Sequence, residues 1–196
     1  MPNSIGSELD SLLANIHHCD QCAAHLPLGP RPVVRASSTA KLLIIGQAPG
    51  TRVHETGIPW NDRSGNVLRN WLALDKDVFY DESRIAIMPM GFCYPGVDPR
   101  GGDKPPRPEC ATAWHHALLD HMSAVEVVLL VGMYAQRRYL GRDRKRTLTE
   151  MVVAWEIYAP HYIPLPHPNW RNNFSEIKPL VRRRHNADAT RTYRTP

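Results

Sequence analysis

Short, continuous apolar runs are the feature that most restricts how this chain can fold. The first is KLLIIG at residues 41–46, which has the length of a buried strand and ends at a glycine. Residues 84–90 and 125–132 have the same character, and residues 162–165 form a weaker fourth run. Unbroken apolarity is typical of parallel strands that are covered on both faces. The sequence therefore predicts a buried parallel sheet.

Helical patterns lie between these runs. Apolar side chains recur at helical spacing over residues 67–72 and 110–118, and residues 133–140, 148–155 and 174–184 are further helix candidates. Strands that alternate with helices in this order require right-handed crossovers. We predict an α/β fold, a three-layer α/β/α sandwich around a central, mostly four-stranded parallel sheet.

The length of 196 residues suits one domain with a well-filled core. A composition with 42% hydrophobic and 22% charged residues excludes collagen-like, coiled-coil and largely disordered chains. We expect one domain over residues 1–196, with an N-terminal segment over residues 1–40 and a flexible tail from about residue 186.

The positive charge of the chain is concentrated in its second half. Residues 1–98 hold 8 basic and 10 acidic side chains, whereas residues 99–196 hold 16 basic and 9 acidic ones. The excess lies mainly at residues 137–146 and 182–184. Such clusters attract phosphate backbones, although a solvated surface that keeps the protein soluble explains a charge run equally well.

No apolar stretch approaches the roughly 20 residues that a membrane-spanning helix needs, and the N-terminus lacks the pattern of a signal peptide. We therefore expect a cytoplasmic monomer without membrane contact. In that compartment, four cysteines are better explained as metal ligands or buried thiols than as disulfides.

The cysteines have the spacing of a metal site. Cys19 and Cys22 form a C-x-x-C pair before the first strand, Cys93 follows the second strand, and Cys110 starts a helix. Four sulfur ligands suit zinc as well as an iron–sulfur cluster, and four unrelated buried thiols are the alternative. A thioredoxin-like role is disfavoured because the pair precedes the first strand and does not cap a strand-to-helix turn.

The pentapeptide GQAPG at residues 46–50 directly follows the first strand. Its glycines and proline favour a tight turn whose backbone can approach a ligand closely. It lacks the lysine and the spacing of a P-loop, and it lacks the glycine register of a dinucleotide fingerprint, so nucleotide binding is disfavoured.

The longer string over residues 46–72 resembles the first motif region of the uracil-DNA glycosylase superfamily, most closely families 4 and 5. In those families a G-x-A-P-G turn is followed by a glycine, a proline with an aromatic residue, and a small residue with a glycine at a helix start. The matching positions here are Gly57, Pro59, Trp60, Ser64 and Gly65. The stretch over residues 132–141 and the loop PLPHPNWRN at residues 164–172 match later motifs in the same order.

This resemblance implies an enzyme that turns a damaged nucleotide out of the duplex and breaks its N-glycosidic bond. It implies that Gly46 and Ala48 border the base and that Trp60 supplies a flat face for stacking. It also implies that His167 donates a hydrogen bond to the carbonyl oxygen of the departing base and so stabilises the developing anion.

The resemblance also implies contacts to DNA. Asn169 would contact the base, Trp170 would fill the vacated stack from the minor groove, and Arg171 would contact a phosphate. Ser64, at the start of a helix, would contact the DNA as well.

Two positions depart from the pattern of the superfamily. Families 1 and 4 carry an acidic residue in or beside the first turn, where this chain has Gln47 and Ala48. Gln47 can orient a water molecule, and His54 and Glu55 are the nearest side chains that could polarise it.

The second departure lies at the end of the second strand. Family 4 has an asparagine there that reads the edge of uracil, and this chain has Pro89. Tyr94 and main-chain groups are the remaining candidates for contacting the base. Hypoxanthine, xanthine or another deaminated base is therefore an alternative substrate to uracil.

The order of the cysteines is also that of families 4 and 5, in which they hold a 4Fe-4S cluster. The resemblance therefore implies a 4Fe-4S cluster at Cys19, Cys22, Cys93 and Cys110, with zinc as the alternative. Our leading hypothesis is a DNA glycosylase of base excision repair that acts on DNA containing a deaminated base. The alternatives are a non-catalytic protein of the same fold that binds damaged DNA, and an iron–sulfur redox protein.

Overall fold

A computed structural model describes residues 4–168 of the protein. Its strands are β1 (Leu42–Ile45), β2 (Ile85–Ile87), β3 (Val127–Val131) and β4 (Tyr162–Leu165). They form a four-stranded sheet in the order β2-β1-β3-β4, and every neighbouring pair is parallel. The predicted parallel sheet is thus confirmed.

Helices surround this sheet. They are α1 (Ser4–His17), α2 (Thr51–Thr56), α3 (Arg63–Leu72), α4 (Lys76–Phe79), α5 (Pro108–Asp120), α6 (Met133–Leu140) and α7 (Leu148–Val153). Short 3-10 helices cover Ala23–His25, Gly141–Asp143 and Trp155–Ile157. Over residues 4–168, no helix combines the length and the apolarity that crossing a membrane requires.

Successive residues of the strands point to opposite faces of the sheet, and each face carries its own core. Leu43 and Ile45 of β1 pack with side chains of α1, α5 and α6. Ile44, between them, packs on the other face with Leu68, Trp71 and other side chains of α3. Helices therefore cover both faces, which confirms the α/β sandwich.

One predicted strand and one predicted helix are shorter than expected. The run over residues 84–90 contains β2 only up to Ile87. Hydrogen bonding to β1 and to the turn after it continues on either side of Pro89, where the Met88 and Met90 N–H groups donate to the Ile44 and Gly46 carbonyls. The predicted helix over residues 148–155 ends at Val153, and the predicted helix over residues 174–184 lies outside the described residues.

His115 of α5 is a buried polar side chain that ties the helix to the segment after β2. Only 2% of its surface is exposed, and its ring stacks between Phe92 and Tyr139. Nε2 lies 3.1 Å from the Pro89 carbonyl oxygen and therefore donates to it, so Nδ1 accepts from the Tyr139 hydroxyl at 2.7 Å. Burial lowers the pKa of His115 from 6.5 to about 4.

We expect this histidine to make the fold sensitive to acid. Between pH 6.5 and 4 the unfolded chain binds a proton at His115 that the native protein does not, so the free energy of unfolding falls as the pH drops through this window. The expected loss is about 3 kcal/mol relative to neutral pH. Urea titrations at pH 7 and pH 4 measure it.

The matched comparison uses His115→Gln, with His161→Gln as a control at an exposed histidine. The pH dependence should shrink in the first variant and persist in the second. An unchanged pH dependence in His115→Gln would show that His115 is not the acid-sensitive group.

Candidate active site

The loops that leave the carboxyl ends of β1, β2 and β4 meet at one edge of the sheet. Open parallel sheets bind ligands at this edge, close to the point where the strand order reverses. In this fold the reversal lies between β1 and β3, because the chain first adds β2 on one side of β1 and then β3 on the other. A cavity of about 110 Å³ lies here.

The cavity brings together most of the candidate residues. Its lining includes the turn after β1, the loop before α3, the first turn of α3 and the segment after β4, and these supply Gly46, Gln47, Ala48, Trp60, Ser64 and His167. Apolar walls come from Val33, Val53 and Ile87. A concave site with apolar walls and a few convergent polar groups has the properties of a small-ligand pocket.

Trp60 packs directly on the turn after β1. A Cβ atom at Gly46 would lie 2.7 Å from Cζ2 of the indole, so position 46 requires a glycine for Trp60 to occupy this place. The indole is half-buried, and its ring centroid lies 6.2 Å from that of His167 at an angle of 40°. Both rings line the same cavity.

His167 follows β4 and is half-buried. Burial lowers its pKa below 6.5, and the nearby carboxylates of Asp62 and Asp103 oppose this shift. The imidazole is therefore neutral at pH 7, with one ring nitrogen that donates a hydrogen bond and one that accepts. A neutral donor of this kind can stabilise a developing anion without itself losing its proton.

Two carboxylates in the cavity were missed by the sequence analysis. Asp62 caps the N-terminus of α3, where Oδ1 accepts from the Gly65 N–H at 2.7 Å. Asp103 belongs to the loop after β2, and its Oδ2 would lie 3.5 Å from a Cβ atom at Gly50 of the GQAPG turn. Asp103 thus provides a carboxylate at the turn that has no acidic residue of its own.

A tight loop brings Asp103 to the cavity. Val97 and Asp103 form an antiparallel bridge, and the Asp98 N–H donates to the Gly102 carbonyl at 2.8 Å. Gly101 and Gly102 both have positive φ, which a side chain would disfavour. Burial raises the pKa of Asp103, with His167 acting in the opposite direction. In the sequence, the two glycines directly before Asp103 are the signal that could have indicated this tight loop.

Other predicted residues lie elsewhere. His54 and Tyr94 do not line the cavity, and their rings contact each other with centroids 6.1 Å apart. Tyr94 is 4% exposed, and Nδ1 of His54 is buried without a hydrogen-bond partner in the described part of the chain. Glu55 is exposed and also lies outside the cavity. The positions of Asn169, Trp170 and Arg171 lie outside the described residues.

Pro89 also lines the cavity. It has no N–H, and its carbonyl accepts from His115. The neighbouring N–H groups of Met88 and Met90 donate to carbonyls of Ile44 and Gly46. None of these groups is left to donate a hydrogen bond to a base.

The four cysteines border a second, small cavity of about 10 Å³, together with Phe92 and Trp114. All four are free thiols, and Cys22, Cys93 and Cys110 are buried. Burial raises the pKa of Cys93 and raises that of Cys110 to about 12, so these two are neutral without a bound cation.

The four cysteines fit a metal that prefers sulfur ligands, because all four supply sulfur and all four border one cavity. The thiols are nevertheless not arranged as a finished ligand set, because no group of three or more His, Cys, Asp or Glu within the described residues is placed to hold a metal ion. The cavity shares no lining residue with the one that contains His167.

Comparison with protein families agrees with the α/β fold. Residues 34–190 match the model of the uracil-DNA glycosylase superfamily. The matched segment includes the GQAPG turn, Trp60, Asp103 and His167. The chain therefore belongs to the uracil-DNA glycosylase superfamily, and its function is of the DNA glycosylase type.

Proposed function

We propose that this protein removes a deaminated base from DNA by hydrolysing its N-glycosidic bond. The observation that carries the proposal is the meeting, in one cavity, of an aromatic face, a neutral histidine and a carboxylate: Trp60, His167 and Asp103. These three groups meet the main requirements of the reaction, which are to hold a planar base, to stabilise its anion and to activate water.

Base departure would be assisted by His167. The target nucleotide leaves the stack, and its base lies against Trp60. The bond between C1′ of the sugar and the base nitrogen breaks, and its electron pair passes to the base. The N–H group of the neutral imidazole then stabilises the negative charge on the carbonyl oxygen of the base. Because His167 is half-buried and the cavity has apolar walls at Val33, Val53 and Ile87, this hydrogen bond is stronger than it would be in water.

Water addition would be assisted by Asp103 and Gln47. The sugar becomes a cation as the base leaves, and a carboxylate stabilises that charge electrostatically. When the water oxygen forms its bond to C1′, the carboxylate of Asp103 accepts the released proton. Its raised pKa makes it a better proton acceptor than an exposed aspartate. Gln47 can orient the water through its side-chain amide.

Base specificity in this proposal does not depend on the end of β2, since Pro89 cannot donate a hydrogen bond. Within residues 4–168, Gln47, Ser64, His167 and the two carboxylates are the polar side chains of the cavity that can contact the base. We therefore expect uracil to have no special advantage over hypoxanthine or xanthine.

Oligonucleotides that carry each of these bases, in single- and double-stranded form, test the proposal. After incubation with the purified protein, alkaline cleavage reports abasic sites. Cleavage at one or more of the three bases is expected, and normal DNA should remain intact. Absence of abasic sites on every substrate would refute the proposal.

We also propose that Cys19, Cys22, Cys93 and Cys110 hold a structural metal centre, a 4Fe-4S cluster or alternatively zinc. When bound, the metal would link the N-terminal segment to the loop after β2 and to α5 through bonds to sulfur. The separation of this cavity from the one that contains His167 supports a structural role.

Metal analysis after anaerobic purification is the test. We expect stoichiometric iron with sulfide and visible absorption for a cluster, or one zinc ion for the alternative. Cys110→Ser should lower the metal content and the free energy of unfolding, whereas His116→Gln, at an exposed position, should change neither. Protein that contains neither metal would refute the proposal.

A further inference from the structure

Trp60 has a backbone conformation that needs support. Its φ is +55°, in the left-handed region that residues other than glycine rarely adopt. Ala73, at the C-terminal end of α3, is the other non-glycine residue with positive φ within residues 4–168. A bulky residue in this region is strained unless its surroundings hold it there.

The Trp60 carbonyl is held by Arg69, a buried arginine of α3. Nη1 of Arg69 donates to the Trp60 carbonyl oxygen at 3.2 Å and to the Tyr80 hydroxyl at 3.1 Å. Nη2 donates to Oδ1 of Asn66 at 2.6 Å. The guanidinium carbon lies 5.2 Å from the ring centroid of Phe79 and 5.6 Å from that of Tyr80. These contacts fix the guanidinium from several directions.

Arg69 is 5% exposed and has no carboxylate partner within the described part of the chain. Burying a charge is costly when the charge is compensated only by neutral groups. An apolar side chain would fill the core beside Phe79 without this cost. The position of the guanidinium therefore points to a role in holding the carbonyl of Trp60.

The other contacts of Trp60 leave it little freedom. A Cβ atom at Gly65 would lie only 1.7 Å from the Trp60 carbonyl oxygen, so that oxygen packs closely on the start of α3. The indole packs on Gly46, and His167 lies close by. A small rotation at Trp60 would therefore move the indole relative to His167.

We propose that Arg69 is a positioning residue that fixes Trp60, and thereby the stacking face of the cavity, at its distance from His167. The functional part of this inference rests on the proposed base-releasing activity. Arg69 does not contact the base in this scheme and acts through the Trp60 carbonyl.

A double-mutant cycle tests the functional part. Arg69→Gln removes the fixed guanidinium and should lower the single-turnover rate constant of base release at least tenfold, with a DNA dissociation constant within threefold of wild type. In a Trp60→Ala background the same change should lower the rate less than threefold, because no indole is left to position. Arg84→Gln, at an exposed position that precedes β2, is the matched control. If the fold losses in rate constant of the two single variants multiply in the double variant, Arg69 does not act through Trp60 and the inference is overturned.

A spectroscopic measurement separates this inference from the proposed activity. Protein labelled with 5-fluorotryptophan gives a ¹⁹F resonance for Trp60, which Trp60→Phe assigns. Arg69→Gln should shift or broaden this resonance, Arg69→Lys should shift it less, and Arg84→Gln should leave it unchanged. Tyr80→Phe keeps the aromatic ring beside Arg69 and removes one hydrogen bond of its guanidinium. We expect a small shift of the Trp60 resonance in this variant. This variant tests the inference even if Arg69→Gln does not fold.

A Trp60 resonance that is unchanged in folded Arg69→Gln, or unchanged in Tyr80→Phe if Arg69→Gln does not fold, would overturn the inference. If the wild-type protein releases no base while the resonance shifts as expected, the proposed activity fails and the positioning of Trp60 by Arg69 stands.

Discussion

Replacing His167 by Ala is expected to lower the single-turnover rate constant of base release by about 10²–10³-fold, the usual effect of removing one donor to a developing oxyanion. The side chain stabilises charge that appears only as the bond breaks, so DNA binding should remain within a fewfold of wild type. Rapid-quench measurements with protein in excess over DNA give the rate constant, and fluorescence anisotropy gives the affinity.

His161→Ala is the matched control, because this histidine is exposed and lies outside the cavity. It should retain the wild-type rate. If His167→Ala releases base at a rate within threefold of wild type, His167 is not the donor that the proposal requires.

Replacing Asp103 by Asn is expected to lower the same rate constant by about 10²-fold, at the lower end of the range for general acid–base catalysis. Asparagine keeps the size of the side chain but neither accepts a proton nor stabilises a cation by charge. Asp103→Glu should recover part of the rate. Asp98→Asn tests a half-buried carboxylate of the same loop that lies outside the cavity and pairs with Arg100, and it should leave the rate unchanged.

The pH profile gives an independent test of Asp103. The active form requires ionised Asp103, whose pKa burial raises above 3.8. Protonation of His167 keeps its N–H donor, so the loss of rate on the acid side reports Asp103. The rate should therefore be constant near pH 7 and fall as the pH drops towards the pKa of Asp103. A rate that already falls as the pH is lowered from 8 to 7 would contradict this assignment.

The fold could be predicted from local patterns wherever those patterns were long and uniform. The bounds of α6 and β4 agree with the prediction because their apolar residues and flanking turn residues coincide. The helices α1, α2 and α4 were missed. The last two have only six and four residues, whereas α1 carries a helical period at Leu9, Leu12, Leu13 and Ile16 that the sequence analysis did not use. The apolar run over residues 84–90 is longer than β2, which ends at Ile87, so apolarity alone did not mark the end of this strand.

The candidate site could be predicted only in part. Gly46, Gln47 and Trp60 were found because they lie in one continuous motif, and they do line the cavity. His54 lies near the turn in sequence, but the direction of α2 brings it to Tyr94. Asp103 was missed because its place depends on the bridge to Val97, a contact that no spacing pattern encodes.

The most direct test of the proposed activity counts the free base released in a single turnover. Lesion-containing duplex is incubated with excess protein, and the free base is quantified by mass spectrometry. The proposal predicts approximately one base per lesion with the wild-type protein, on at least one of uracil, hypoxanthine and xanthine, and a large reduction in rate with His167→Ala. Tight, salt-sensitive binding of the damaged DNA without any release of base would contradict it and favour a non-catalytic protein that binds damaged DNA.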